Sequence, residues 1–199
     1  MVLNYVILVS GGVVNMDSFF KLFFHKLNYK KMKTREDNFC VYYDNIIEAY
    51  LSLLFGSAAV AALASVFLCK KLGRKWPLLL GFSLLLLGSS LSSSTKVLRI
   101  LFIGRIITGI GIGFISGCSK VYLSESASTN FAKTLDSIYK ISYGFGTPVG
   151  LTLNFIMANF EWGWRICFAI PGVLVIPPLL ISIFAHDTPM YYIEMKTIK

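Results

Sequence analysis

Residues 104–117 form the stretch GRIITGIGIGFISG, an apolar run that carries one full positive charge near its start. Gly109, Gly113 and Gly117 recur at every fourth position, so on an α-helix they share one face. A face of glycines allows the backbone of a second helix to approach closely, which is typical of helices packed inside a membrane. The stretch therefore predicts a membrane-spanning helix that packs tightly against another helix.

Arg105 lies one turn before Gly109, on the same face. Its guanidinium stays charged at any ordinary pH, and placing it in lipid costs at least about 2.5 to 3.5 kcal/mol. Two placements of the Arg105 side chain would avoid this cost. The side chain either faces a partner or a wet cavity inside the protein, or lies close enough to the helix end to extend to the membrane surface. The sequence favours the buried, functional position and leaves the other open.

The composition indicates that most of the chain lies in a membrane. Of its 199 residues, 55% are hydrophobic and 15% are charged, and the mean hydropathy is +0.67. Several apolar runs approach the roughly 20 residues that a helix needs to cross a lipid bilayer. The net charge of +9 comes from short clusters between these runs, which favours membrane-flanking charge over a nucleic-acid-binding surface. We predict an all-α, multispanning membrane protein with no nucleic acid partner.

The apolar runs and the breaks between them predict the order of the spans. Residues 1–9 are interpreted as a remnant of span one, and Gly11 and Gly12 are predicted to break that helix. The polar segment containing SESAS, between spans four and five, is interpreted as a loop or a helix start. Spans two to six are predicted near residues 45–69, 76–94, 97–121, 135–159 and 166–184.

The last two spans have unusual features. Span five contains YGFGTPVG, whose glycines and proline loosen a helix, and such backbone is tolerated at membrane depth where it packs on protein or lines a cavity. Lys140 places a second charge near the start of this span. The tryptophans of EWGWR are expected at a membrane interface. Three prolines, Pro171, Pro177 and Pro178, predict a kinked span six.

No residue pattern predicts an enzyme, a metal site or a cofactor. The cysteines lack metal-ligand spacing. Cys69, Cys118 and Cys167 fall in or beside apolar runs and are interpreted as small packing residues. The positive-inside rule does not decide the orientation, although the four positive charges of the short loop 70–75 favour the cytosolic side.

Seven motifs together resemble the sugar porters of the major facilitator superfamily, and among them the plant sugar transport proteins, which are hexose/proton symporters. In chain order the motifs are SGGVVNMDSFF, NFCVYYDN, KKLGRK, GRIITGIGIGF, YLSESA, WGWR and DTPMYYIE. The resemblance implies the N-terminal six-helix half of a twelve-span carrier, with span one truncated and the C-terminal half absent. The segments it implies are 1–9 (remnant of span one), 10–44 (extracellular loop with a lid helix), 45–185 (spans two to six) and 186–199 (start of a cytosolic linker).

The resemblance also implies roles for individual charges. Gly73 and Arg74 match the family's cytosolic loop after span two, Glu125 matches its acidic residue after span four, and Asp187 matches its residue after span six. In the family these residues form a gate of ion pairs at the cytosolic face. The alternative is that these charges merely flank the helix ends. Exposed ion pairs contribute only about 0 to 1 kcal/mol each, so the presence of the charges does not by itself indicate a gate. A separate match is Cys40, which corresponds to the cysteine of the extracellular lid helix, whose disulfide partner lies in the second half.

Arg105 resembles the family's span-four arginine, which pairs with an aspartate of span one and couples protonation to sugar occupancy. Here Val6 stands at the aspartate's place, so the proton carrier of the family is missing. The sugar-binding glutamine of span five falls at Lys140, and an apolar sugar contact falls at Thr147. An ammonium only donates hydrogen bonds, whereas glutamine donates and accepts.

Two functions follow from this resemblance. The first is transport of a hexose, by family resemblance together with protons, across the plasma membrane. Because alternating access needs two bundles that move about a central site, a chain of this length would need a second transporter half. The alternative is a truncated, non-transporting membrane paralogue or a fragment, which at most associates with full-length carriers.

Overall fold

The computed structural model describes residues 2–14, 16, 18, 19, 22, 45–73, 75–126 and 129–184. Within these residues it contains six α-helices and no strand, which confirms the predicted fold class. The helices are α1 (Val2–Val14), α2 (Asn45–Leu72), α3 (Lys75–Ser94), α4 (Leu98–Ser126), α5 (Thr129–Met157) and α6 (Gly163–Phe184).

Within the described part of the chain, four helices are long and apolar enough to cross a bilayer, and they lie over the predicted spans two, three, four and six. Their membrane segments are Ile47–Cys69 in α2, Lys75–Ser94 in α3, Leu98–Ser119 in α4 and Gly163–Phe184 in α6. The apolar helix α1 has only 13 residues. Although α5 has 29 residues, charged and polar side chains in its first half lower its apolar content.

The central helix of the bundle is α4, because it packs against α2 on one side and α3 on the other. A second group is formed by α1, α5 and α6, and the contact between α3 and α6 joins the two groups. A Cβ atom built on Gly113 would lie 2.6 Å from the Cβ of Ala61, and one on Gly117 would lie 3.1 Å from the Cβ of Ser65. The predicted close packing along the glycine face is therefore confirmed, with α2 as the partner.

Several predicted boundaries were wrong. Gly11 and Gly12 do not break the first helix, because α1 continues to Val14. In a membrane the backbone has no water to bond with, so the helix is retained through glycines that would end it in water. The segment with SESAS is helical up to Ser126, and α5 begins soon afterwards at Thr129. All three prolines of span six lie inside the single helix α6, and the predicted kink stays a prediction.

The interpretation of Cys69 and Cys118 as packing residues was also wrong, because the two are joined by a disulfide between α2 and α4. Cys167 is a free, buried cysteine, as its apolar surroundings in the sequence predict. Of the two tryptophans expected at an interface, Trp162 is exposed, whereas Trp164 is buried and packs edge-on against Phe19. Span six therefore begins inside the protein core.

Candidate functional site

Arg105 lies inside the bundle, where only 3% of its surface is exposed. Its Nε donates a hydrogen bond to the Tyr50 hydroxyl at 2.6 Å, and its Nη1 donates to the hydroxyl of Ser10. Tyr50 belongs to α2 and Ser10 to α1, so one side chain of α4 connects three helices. Of the two positions that the sequence left open, the structure therefore selects the buried one.

Two aromatic rings enclose the guanidinium. The Cζ atom of Arg105 lies 4.7 Å from the ring centre of Tyr50 and 4.6 Å from that of Phe168 on α6. Phe19 packs against both rings, with ring centres 6.2 Å from Tyr50 and 6.1 Å from Phe168. A desolvated cation–π contact contributes about 2 kcal/mol or more. The rings thus supply part of the stabilisation that water supplies to an exposed arginine.

The charge of Arg105 has no acidic partner among the described residues. Its Nη2 atom is buried without a hydrogen bond. Val6 is buried and lies one turn before Ser10 on α1. The hydroxyl of Ser10 donates a hydrogen bond to the carbonyl oxygen of Val6. The residue one turn before the Ser10 contact is therefore apolar and cannot supply a counter-charge. Leaving one donor of a buried cation unpaired costs about 1 to 3 kcal/mol or more.

A second polar group lies on α5. The ammonium of Lys140 is 2.7 Å from the carboxylate of Asp136, one helical turn away. Both side chains are largely exposed, and together with Tyr139 and Tyr143 they line a cavity of about 480 Å³. The other walls come from α1, α2 and α4, namely Leu3, Ala62, Ser116 and Gly117. This cavity can offer hydrogen-bond donors and acceptors to a polar ligand, and its lining does not include Arg105.

The N-terminal part of α1 is attached to α5 beside this cavity. The Asn4 side chain donates a hydrogen bond to the carbonyl oxygen of Tyr143 at 2.9 Å, and the Asn154 side chain donates to that of Leu8 at 3.2 Å. A Cβ atom on Gly12 would overlap the Asn154 side chain, which would have to move to make room for it. These contacts fix the position of α1 between the cavity and the Arg105 site.

Comparison with known proteins identifies the family of this bundle. The family model described as "Sugar (and other) transporter" matches residues 1–199. The chain belongs to this family. Together with the helices described above, membership makes it a multi-pass membrane protein.

Plant sugar transporters are among the most similar relatives. The chain is 30% identical over 197 residues to "Sugar transport protein MST3" of Oryza sativa subsp. japonica, and 34% identical over 200 residues to "Sugar carrier protein C" of Ricinus communis. Each alignment covers 98% of this chain and 38% of the relative. The chain thus spans well under half the length of these relatives and aligns with their N-terminal part.

Solved structures show the same fold. The chain matches a D-xylose-proton symporter with a TM-score of 0.74, and the partially occluded, inward-open xylose transporter XylE from E. coli with a TM-score of 0.76. In both cases the identity is 18%, and the match covers 98% of this chain and 49% of the other chain. The six helices therefore form one half of the major facilitator fold.

The structure describes only some of the residues for which the family resemblance implies a role. Gly73 is buried and has a positive φ of 83°, which ends α2 in a conformation that favours glycine. The backbone of Glu125 belongs to α4, but its side chain lies outside the described part, as do Arg74, Asp187 and Cys40. Thr147 is half-buried on α5, two turns beyond Lys140. The predicted gate and lid therefore remain predictions.

Sequence reasoning missed the residues that surround these side chains. Tyr50 is 55 positions from Arg105, and no local pattern connects the two. Phe168 lies in a long apolar run in which nothing distinguishes it from other packing residues. By contrast, the pair of Asp136 and Lys140 has the spacing of an acid and a base on one helix face, so this pair was recognisable from the sequence.

Proposed function

We propose that this chain is the N-terminal half of a hexose carrier of the plasma membrane and that it acts together with a second six-helix half. The proposal is carried by one observation: 98% of this chain matches 49% of the chain in each of two solved xylose transporters. Membership of the sugar transporter family supports the same substrate class. Alternating access requires two bundles that move about a site between them.

The surface of α2 supports the need for a second half. Only 17% of the membrane segment of α2 is buried, compared with 44% for those of α3 and α4. The exposed side includes the small residues Ser52 and Gly56, and nothing in the described structure lies within 4 Å of a Cβ atom built on Gly56. Small residues in a membrane helix allow another helix to pack closely. A second bundle is the occupant that this surface fits.

The cavity between α1, α2, α4 and α5 is the proposed sugar site of this half. Lys140 would donate to sugar hydroxyls, while the carboxylate of Asp136 would accept from them. Thr147 is proposed as a further contact on the same helix. Arg105 is proposed as the residue that couples a movement of α1 to a movement of α4. With Val6 in place of a carboxylate, we propose that this half does not itself carry the proton.

The alternative function is that of a non-transporting membrane protein which associates with complete carriers. Two residues favour this alternative. Val6 differs from the residue that the family resemblance implies for coupling, and Lys140 differs from the one that it implies for sugar binding. A protein of this kind would retain the exposed α2 surface, because association needs that surface. It would lack any binding of sugar in the α5 cavity.

The two functions are separated by an uptake measurement in a host strain that has no hexose carrier of its own. The chain is expressed alone and together with the C-terminal six-helix half of a plant sugar transport protein. We expect radiolabelled glucose uptake above background only when both halves are present. The matched control is Asp136→Asn combined with Lys140→Ala, which removes both charges of the cavity lining and leaves the packing surfaces intact.

Uptake with both halves that is lost in the double variant would support the carrier. Co-purification of the two halves without uptake would instead support the non-transporting alternative. Localisation is measured in the same cells by fractionation, and the proposal expects the chain in the plasma membrane fraction.

A further inference from the structure

Cys69 and Cys118 lie in the α2–α4 interface. Their Cα atoms are 6.8 Å apart, which is within the range that a disulfide bridges, and the two positions are separated by 49 residues in the sequence. Both side chains are buried, with 8% and 0% of their surface exposed. The two sulfur atoms are bonded in the structure.

The glycine face of α4 explains why these two cysteines meet. Along this face, Gly113 lies against Ala61 and Gly117 lies against Ser65, so the helices remain close over several turns. Cys118 directly follows Gly117, and Cys69 is one turn beyond Ser65. The register that the glycines impose therefore places the cysteines opposite each other. The pairing is a consequence of the same packing that builds the bundle.

We propose that Cys69 and Cys118 form a reversible thiol-oxidation site that connects the ends of α2 and α4. The oxidant is a small peroxide: one molecule of hydrogen peroxide accepts two electrons and two protons from the thiols, forms the S–S bond and leaves as two molecules of water. A dithiol reverses the reaction by exchange, becoming oxidised as the two cysteine thiols are restored. The site is independent of the transport function proposed above.

The surroundings of the pair suit a small oxidant. Cys69 precedes the basic segment 70–75, which is predicted to face the cytosol, where disulfides do not normally persist. Both side chains are buried; Cys69 is the last residue of the apolar segment of α2, and Cys118 lies one residue before the end of that of α4. We therefore expect a small neutral peroxide to reach the pair more readily than a large, charged thiol.

The bond would also fix the positions of nearby residues. Gly73, where α2 ends, is one turn beyond Cys69, and α4 continues for two turns beyond Cys118 to Ser126. Oxidation therefore holds the end of α2 at a constant distance from this part of α4. Reduction leaves the same contact to packing forces alone.

The experiment counts free thiols in the full chain. In the background Cys40→Ser with Cys167→Ser, only the pair remains, and membranes are treated with hydrogen peroxide or with dithiothreitol. They are then denatured in the presence of a maleimide polyethylene glycol, and each free thiol adds one increment of mass on a gel. We expect two increments after dithiothreitol, none after peroxide, and two again after a second reduction.

Two controls keep the result specific. In the same background, the added change Cys69→Ser leaves one thiol, which should add one increment after either treatment. A second control adds Phe67→Cys to Cys69→Ser. This restores two thiols but places one of them on an exposed part of α2, since Phe67 is 69% exposed. We expect this variant to keep two increments after peroxide.

Two increments in the native pair after peroxide would overturn the proposal, as would loss of both thiols into a dimer on a non-reducing gel. Loss of both increments after peroxide in the variant with Phe67→Cys and Cys69→Ser would also overturn it, because the oxidation would then not depend on the register of the two helices.

Discussion

The guanidinium of Arg105 donates a 2.6 Å hydrogen bond to the hydroxyl of Tyr50, across the interface between α4 and α2 and inside the helix bundle. The Tyr50 ring also lies against the same guanidinium, with 4.7 Å from Cζ to the ring centre. One tyrosine therefore stabilises the cation in two ways, through a hydroxyl that accepts a hydrogen bond and through the face of its ring.

The variant Tyr50→Phe separates these two contributions. It keeps the ring and removes the acceptor, so the Nε donor is left buried without a partner. We expect the free energy of unfolding to fall by about 1.5 to 3 kcal/mol, as for other hydrogen bonds to charged groups. The measurement is an SDS titration in mixed micelles followed by circular dichroism. The control is Tyr143→Phe, whose side chain is 39% exposed, and equal losses in both variants would contradict the assigned role of Tyr50.

The variant Val6→Asp tests the missing counter-charge. It places a carboxylate one turn before Ser10, which already accepts a hydrogen bond from Arg105. At neutral pH we expect Val6→Asp to be clearly more stable than Val6→Asn, which has a similar shape and no charge. Acidification protonates the carboxylate and should remove this difference. Thermal denaturation at several pH values is the measurement, and indistinguishable variants at neutral pH would show that position 6 does not reach Arg105.

The glycine face of α4 predicts a strong contrast between two identical substitutions. In Gly113→Ala the new methyl group would overlap Ala58 and lie 2.6 Å from the Cβ of Ala61, so the helices must separate. We expect a loss of about 1 to 3 kcal/mol in the free energy of unfolding. Gly56→Ala adds the same group where no described atom lies within 4 Å, and the higher helix propensity of alanine should make it neutral or slightly stabilising. SDS titration measures both, and a neutral Gly113→Ala would rule out the close packing.

The pair on α5 should matter for binding and little for stability. Because Lys140 and Asp136 are 74% and 59% exposed, their attraction is screened by solvent, and Lys140→Gln should change the free energy of unfolding by less than about 0.5 kcal/mol. When both transporter halves are expressed together, we expect Lys140→Gln to increase glucose uptake, since an amide both donates and accepts hydrogen bonds. Radiolabelled uptake at equal expression is the measurement. Unchanged uptake in both Lys140→Gln and Asp136→Asn would exclude this cavity as the sugar site.

The sequence by itself determined the class of the protein and most of its helices, because apolar runs of the length of a bilayer have few alternatives to helix. The glycines of α4 predicted close packing, since their spacing places them on one face whatever the partner is. The pair of Asp136 and Lys140 was within reach of the same local reasoning. The error at Gly11 and Gly12 came from applying a rule for helices in water to a helix in a membrane.

Only the tertiary structure decided what these features contact. It selected α2 as the partner of the glycine face, brought Tyr50 and Phe168 around Arg105, and joined Cys69 to Cys118. Each of these pairs is separated by about 50 residues or more, and their meeting depends on how whole helices cross each other. Periodicity along the chain assigns a residue to a face of its own helix, but it contains no information on which other helix lies against that face.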